Sequence, residues 1–463
     1  MKYLLKNKIF NRNIIIFLFF IFLIIFRLHN ADVFNSYWGY DGGAHLNYIE
    51  EVYKTNNLPD MQENYLAWHE PYFYVSYAMI GHVLDYFAGK EGYDFYEYIV
   101  KFWQILSAFV SILIIYLIYK ISKFFTKNKY AQLAAVISSG LLSVITETTN
   151  YITNELLLAF FIILLFYYFI IFSRKGWNIK RILIISILSG IALLIKLSAL
   201  IFIFAILIWL TYRSIYSATA AKGGGAVRWL GYAFIFLVII ILIYLPWGIY
   251  KQKNIGSVWS INIYEKNLAQ NNKLNSDFFY RLNPQIFNNP FWATSSNSFW
   301  AIIYADTFSD YHSISNNIDK NLLLEDNKKI LVDSGNFITK NKFIFSIILL
   351  YFSIFYIFIF LGGIIGLFWH WVRNSLKPSI NLLILIFIIG SFMALMYNVW
   401  SFPFLERGTL KASFILSIWP ILMIISWSWL ANILNKLKLN FLWIVIYFFI
   451  LIWGSLSIFI NWI

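Results

Sequence analysis

Cysteine is absent from the chain, which excludes disulfide bonds and every thiolate metal site. Charge is scarce: charged residues make up 13% of the 463 residues, against 60% hydrophobic, a balance no ordinary soluble domain carries. No internal repeat stands out, which argues against a transporter built from inverted halves. The first apolar run, Ile14 to Phe26, is followed by Arg27-Leu28-His29-Asn30 rather than by a small-residue cleavage pattern. It therefore reads as a retained signal-anchor helix.

What remains is a succession of long apolar runs. A helix needs roughly 20 mainly apolar residues to cross a hydrocarbon core of about 30 Å. The runs are continuous, whereas a transmembrane barrel alternates in short segments. Hydropathy places helices near 9–28, 99–119, 131–147, 154–172, 182–196, 197–212, 229–248, 343–369, 379–397, 411–431 and 441–462. The expectation is an all-α polytopic membrane protein, one transmembrane unit over 1–463 with about 11 spanning helices (range 10–13).

The net charge of +14 is distributed in a way that argues against nucleic acid. With the N-terminus cytoplasmic, the inside segments are 1–13, 120–130, 173–181, 213–228, 370–378 and 432–440. They hold 19 Lys and Arg and none of the 22 Asp and Glu, a positive-inside pattern with anionic membrane lipid as its partner. The C-terminus then lies outside, and the membrane is read as a bacterial inner membrane. Two segments exceed simple connections, 29–98 and 251–342, and both fall on the outer side. Tyr72 to Phe87 reads as a helix lying at the interface. The pairs Phe291-Trp292 and Phe299-Trp300 suit the headgroup region and also the faces of sugars.

Four stretches can carry chemistry. In Trp38-Gly39-Tyr40-Asp41-Gly42-Gly43-Ala44-His45, the glycines permit a tight turn and Asp41 stands near a helix N-terminus. There it acts as a proton acceptor or cation ligand, or simply as a cap; His45 lies one turn on. His69 and Glu70, before Pro71, face the outer vestibule or solvent. Glu155 opens a helix after the polar hinge Glu147 to Asn154, as cap or pocket residue. Lys196 sits between apolar runs, where a lysine needs a partner or a polar cavity. Lys196, Arg407 and Lys411, all at outer helix ends, suit an anionic headgroup ligand or snorkel to the surface.

Several of these segments, in order, resemble the GT-C superfamily of integral-membrane glycosyltransferases, in particular the protein-mannosyltransferase-like branch. They are Tyr40-Asp41-Gly42-Gly43-Ala44-His45; His69-Glu70-Pro71-Tyr72-Phe73-Tyr74; Thr153-Asn154-Glu155-Leu156-Leu157; Gly190 to Lys196; the helix end Leu245-Pro246-Trp247; and Gly408-Thr409-Leu410-Lys411. Many relatives place Glu directly after the first-loop Asp, where this chain has Gly42, and His-Glu-Pro stands for the commoner doubled proline. The resemblance implies a polyprenyl-phosphate-linked sugar donor, a glycan, lipid or protein acceptor, and inverting transfer on the outer face. It makes Asp41 the general base and Lys196, Arg407 and Lys411 the phosphate holders. His45, His69, Glu70 and Glu155 become pocket residues. In some relatives such residues hold a divalent metal ion, which makes Asp41, Glu155 and His69 the metal candidates here. Two rival readings are a carrier or flippase for a lipid-linked saccharide and an assembly subunit whose loops bind a partner.

Overall fold

The computed structural model describes residues 12–37, 39, 41–60, 64, 66–88, 98–219, 224–256, 258, 276–288, 290, 298–312, 337–374, 376–401 and 410–462. Sixteen α-helices are found there: α1 (Arg12–Val33), α2 (Gly42–Thr55), α3 (Tyr72–Ala88), α4 (Ile99–Phe125), α5 (Lys129–Gly140), α6 (Ser143–Asn150), α7 (Asn154–Lys175), α8 (Ile179–Ile195), α9 (Leu200–Thr219), α10 (Gly224–Ile255), α11 (Asp277–Tyr280), α12 (Phe299–Phe308), α13 (Phe337–Arg373), α14 (Ile380–Ser401), α15 (Ile418–Lys436) and α16 (Trp443–Asn461). Among the described residues nine helices are long and apolar enough to cross a membrane, and the bent pair α5–α6 makes a tenth. Helix α8 has 17 residues, about 25 Å at 1.5 Å per residue, the short limit for a span. The chain is an all-helical multi-pass membrane protein.

Hydropathy suggests one helix over 131–147, but the structure breaks it at Leu141-Leu142 and bends it by 44°. A break inside an apolar bundle frees backbone carbonyls, and these need partners. Arg27, fully buried on α1, supplies one: its guanidinium donates to the Gly140 carbonyl at 2.9 Å, and past the break it also reaches the Ile145 carbonyl within α6 at 3.3 Å. The Ser457 hydroxyl on α16 donates to the Leu141 carbonyl. Beyond the break, α6 is short, polar and wholly buried, and Thr148 and Thr149 return their hydroxyls to carbonyls four residues back.

Two other expected boundaries move. The helix expected to end at Leu245-Pro246-Trp247 runs on to Ile255 with Pro246 inside it. Proline deletes a single donor, which a packed bundle tolerates, and the extra two turns carry Lys251 inward. The span expected at 411–431 begins only at Ile418; Lys411 is extended and opens a 3-10 turn, Ala412–Ile415. The 251–342 loop is narrowed from both ends, since α10 ends at Ile255 and α13 starts at Phe337.

The bundle is polarised. At one end Arg174 donates to the Phe124 carbonyl and Arg213 to the Pro378 carbonyl across short connections. The opposite end carries α2, α3, α12 and the polar turns. Helix α3 packs on α2, with His82 stacked on Tyr53 at 4.5 Å. It leaves Met79, Val83, Tyr86 and Phe87 exposed, the apolar face that a helix lying on a membrane surface needs.

Close helix contact between α13 and α15 depends on small residues. A Cβ built on Gly362 would lie 2.3 Å from the Trp429 ring, and one on Gly366 2.5 Å from it. Gly362→Leu should therefore lower stability by about 1–3 kcal/mol through overpacking, measured by thermal unfolding in detergent. Gly231→Ala, with nothing within 4 Å of the new methyl, is the matched control that should not.

Candidate active site

Four chain segments far apart in sequence meet at the polar end. The first is the turn before α2. Gly39 has φ +97°, and a Cβ there would lie 2.4 Å from Tyr151 Cγ, so glycine is required both by conformation and by space. Asp41 itself occupies the left-handed region (φ 55°, ψ 15°) at the N-cap of α2. That conformation is tolerated by Asp better than by most residues. The tight turn expected at Gly42-Gly43 is thus made by Asp41, and the two glycines begin the helix. The Asp41 carbonyl accepts from the His45 N–H at 2.9 Å, but its carboxylate caps nothing. It reaches Lys411 Nζ instead, at 3.1 Å. Asp41 keeps 47% of its side chain exposed, whereas Lys411 keeps 6%.

The second segment is the start of α7. Thr153 caps the helix by accepting from the Glu155 N–H at 3.3 Å, and the Glu155 carboxylate pairs with Lys196 Nζ. Lys196 terminates α8 in an extended conformation. Both ammonium groups lie beside one ring, Lys196 Nζ at 4.8 Å and Lys411 Nζ at 5.5 Å from the centre of Phe414. The cation–π range is about 6 Å. Asp41, Lys411, Lys196 and Glu155 therefore form one cluster.

His45 and His69 lie close to it, ring centres 6.0 Å apart. His45 is buried and shares a 2.8 Å hydrogen bond with the Tyr74 hydroxyl. Burial holds its pKa down to about 3, against the opposing pull of Asp41, and the two lysines add to the depression. His69, stacked on Trp68 at 4.1 Å, is likewise held well below the ordinary histidine range, by burial first and then by Lys196. Both rings are neutral at pH 7. For Asp41, burial is the largest single influence and works upward, but Lys411, His45 and Lys196 together outweigh it, and the carboxylate titrates below its ordinary range.

Glu70 is not at the vestibule wall where the sequence suggests it. It is 1% exposed; one oxygen accepts from the Leu197 N–H at 3.1 Å and the other lies 4.0 Å from Lys251 Nζ. Burial pushes its pKa up, opposed by Lys251. Arg407 lies outside the described residues, as does Phe291-Trp292. Trp300 donates from its indole to the Phe279 carbonyl at 2.9 Å and packs on Phe392.

The sequence reading missed Lys251, Phe414, Tyr74 and Asp306. Asp306 had a signal, as a lone carboxylate in the apolar run Phe299–Phe308. It is buried, accepts from the Ala412 N–H and lies 3.7 Å from His312 Nε2. Among the described residues no three His, Asp or Glu side chains are grouped to hold a metal ion. Asp41 and Glu155 each face a lysine instead, so the metal candidates Asp41, Glu155 and His69 do not fit such an ion.

One comparison with known proteins agrees with the motif resemblance over part of the chain. Residues 100–247 match the family described as dolichyl-phosphate-mannose-protein mannosyltransferase; that stretch holds Glu155 and Lys196. No curated protein matches the sequence. Three structures of the Archaeoglobus fulgidus oligosaccharyltransferase are similar to the chain. The complex with zinc and sulfate is 14% identical with a TM-score of 0.47, covering 94% of this chain and 52% of that one. The complex of that enzyme, AglB, with an inhibitory peptide and a dolichol-phosphate is 11% identical, TM-score 0.45, covering 95% and 56%. The form tethered to an acceptor peptide containing the NVT sequon is 12% identical, TM-score 0.48, covering 95% and 55%. The chain spans about half the length of these structures.

The Glu70–Lys251 pair generates a stability prediction. Removing one partner leaves a buried charge uncompensated, which costs about 3–5 kcal/mol, while an apolar replacement of both is nearly neutral. Glu70→Leu and Lys251→Met should each lower thermal stability in detergent, and the double variant should lose less than the sum of the two, recovering the charge part of the loss but not the Leu197 N–H acceptor. Additive losses would show that the two charges do not compensate each other.

Proposed function

Starting from the resemblance to mannosyltransferase-type GT-C enzymes, we propose that this protein is a glycosyltransferase that moves a sugar from a polyprenyl-phosphate donor to an acceptor hydroxyl. The observation that carries the reading is the Asp41–Lys411–Phe414–Lys196–Glu155 cluster. It offers one half-exposed carboxylate beside two lysines at the polar end of an apolar bundle. Glycan, lipid and protein hydroxyls are all acceptors of the required chemistry.

In the proposed reaction Asp41 takes the proton of the acceptor hydroxyl as its oxygen attacks the anomeric carbon. The bond from that carbon to the phosphate oxygen breaks, its electron pair leaves with polyprenyl phosphate, and the configuration inverts. Lys196 and Lys411, with Arg407 by resemblance, stabilise the charge that develops on the phosphate, a preorganised electrostatic role. His69 and Glu155 line the pocket. The basic connections put the N-terminus in the cytoplasm and the C-terminus outside. The site then faces outward from what we read as a bacterial inner membrane. A carrier of lipid-linked saccharide accounts for the two lysines, but a carrier exposes polar groups to both sides in turn, and the described cluster belongs to one end.

Asp41→Asn should lower transfer about 10²–10⁴-fold, the usual worth of a general base, with expression and thermal stability unchanged. Full activity of this variant in a membrane assay with polyprenyl-phosphate sugar would falsify the assignment. Lys411→Met removes the charge that holds Asp41 below its ordinary range. The base then becomes protonated at a higher pH, so the acid limb of kcat/KM moves upward. An unmoved limb detaches that limb from Asp41. Transfer by the purified protein in detergent, where there are no compartments, separates the enzyme from the carrier.

A further inference from the structure

The two lysines of the cluster are presented by the same local device, built twice. Lys196-Leu197-Ser198-Ala199 and Lys411-Ala412-Ser413-Phe414 share the order Lys-x-Ser. Each lysine is extended, φ −161° and ψ 138° for Lys196, φ −128° and ψ 135° for Lys411, and each opens a 3-10 turn. Each lysine carbonyl accepts the N–H three residues on, Ala199 at 3.0 Å and Phe414 at 3.2 Å.

The N–H immediately after each lysine is in each case taken by a buried carboxylate from another segment. Glu70 accepts from Leu197 and Asp306 accepts from Ala412, and both carboxylates are 1% exposed. The second oxygen of each faces a basic side chain: Glu70 Oε1 lies 4.0 Å from Lys251 Nζ, and Asp306 Oδ1 lies 3.7 Å from His312 Nε2. The Ala412 carbonyl is held as well, by the Trp419 indole at 3.1 Å. A buried side-chain oxygen accepting from the backbone N–H holds that peptide in place, since neither group has water as an alternative partner, so each latch fixes the peptide plane from which the lysine side chain departs.

We propose that Asp306 and Glu70 are positioning residues that set Lys411 and Lys196, through the backbone N–H that follows each, as a prearranged pair of ammonium groups for the phosphate of a lipid-linked donor. This rests on the glycosyltransferase reading above. Neither carboxylate touches the phosphate; each acts through the lysine it places. Two preset cations bind an anion without the ordering cost of two free lysine side chains. The duplicated turn supplies that order for both lysines, whose ammonium groups lie beside the Phe414 ring.

The test titrates purified full-length protein in detergent with polyprenyl monophosphate and reads affinity and stoichiometry separately. A variant that only misfolds loses binding sites at unchanged affinity, whereas a misplaced lysine loses affinity at unchanged stoichiometry. Asp306→Ala is expected to bind about tenfold or more weaker, as Lys411→Met does, because a hydrogen bond to a charged group is lost. Asp306→Asn and Glu70→Gln keep an acceptor oxygen and should stay within about threefold of the parent protein. If Asp306→Ala does not fold, the Asn and Gln variants decide: binding as weak as in the lysine variants overturns the latch. Wild-type affinity in Asp306→Ala alongside weakened Lys411→Met also overturns the latch but leaves the donor-binding reading standing. Wild-type affinity in both Lys196→Met and Lys411→Met, or no binding by the parent protein, overturns that reading and the latch with it.

Discussion

Charge taken out of water has to be neutralised where it stands, and at the polar end of this bundle the neutralisation is done pairwise between distant segments. Asp41 finds Lys411 across 370 positions of sequence, and Glu155 finds Lys196 across 41. These pairs tie the first loop to the entry of the penultimate helix and the start of α7 to the end of α8. Surface pairs contribute little to stability, and Asp41 is half open to water. What the pairs supply is register, since each fixes which residues face the same few cubic ångströms.

A second demand, that of the backbone, explains why the site can sit where it does. An unbroken helix over 129–150 would carry apolar residues straight through. The break at Leu141-Leu142 turns the chain and lets a polar half-helix, α6, lead up to Tyr151 and Glu155. Arg27 and Ser457 meet the carbonyls that the break exposes. Tyr151 then presses on Gly39, where no larger residue fits. The turn that presents Asp41 is in this way shaped by a helix break more than 100 residues later in the chain.

Much of the span pattern was legible because it depends on composition over long windows, and windows of 20 apolar residues leave little choice. Glu155, Lys196 and Lys411 were legible as charges at the ends of apolar runs, and Asp41 as an acidic residue beside a glycine turn at a helix N-terminus; the structure brings those four together. Their partners were not legible, because pairing is a long-range property that local spacing does not encode. Glu70 shows the difference: beside His69 it reads as a vestibule residue, yet it turns inward to Leu197 and Lys251. Lys251 escaped because Pro246 reads as a helix end, and the helix that carries Lys251 is completed by packing around the proline. Asp41 in the left-handed region was hidden by Gly42-Gly43, which are the obvious residues for that conformation and do not adopt it.

The carboxylates at this end differ in what they hold, and the difference sorts them by chemistry. Glu70 and Asp306 are buried against backbone N–H groups and are committed to posture. Glu155 is 5% exposed and committed to Lys196. Asp41 alone among these four is open to water, and its partner Lys411 is one that an incoming phosphate would also seek. On the proposed reading the resting cluster is close to neutral, two carboxylates against two lysines with both histidines uncharged. A donor phosphate therefore exchanges partners with Asp41 rather than simply adding to a positive site. As the phosphate shares Lys411 with Asp41, the influence that keeps Asp41 a weak base is reduced. Donor binding and activation of the base become one event, and Asp41 gains proton affinity only when there is a sugar to transfer.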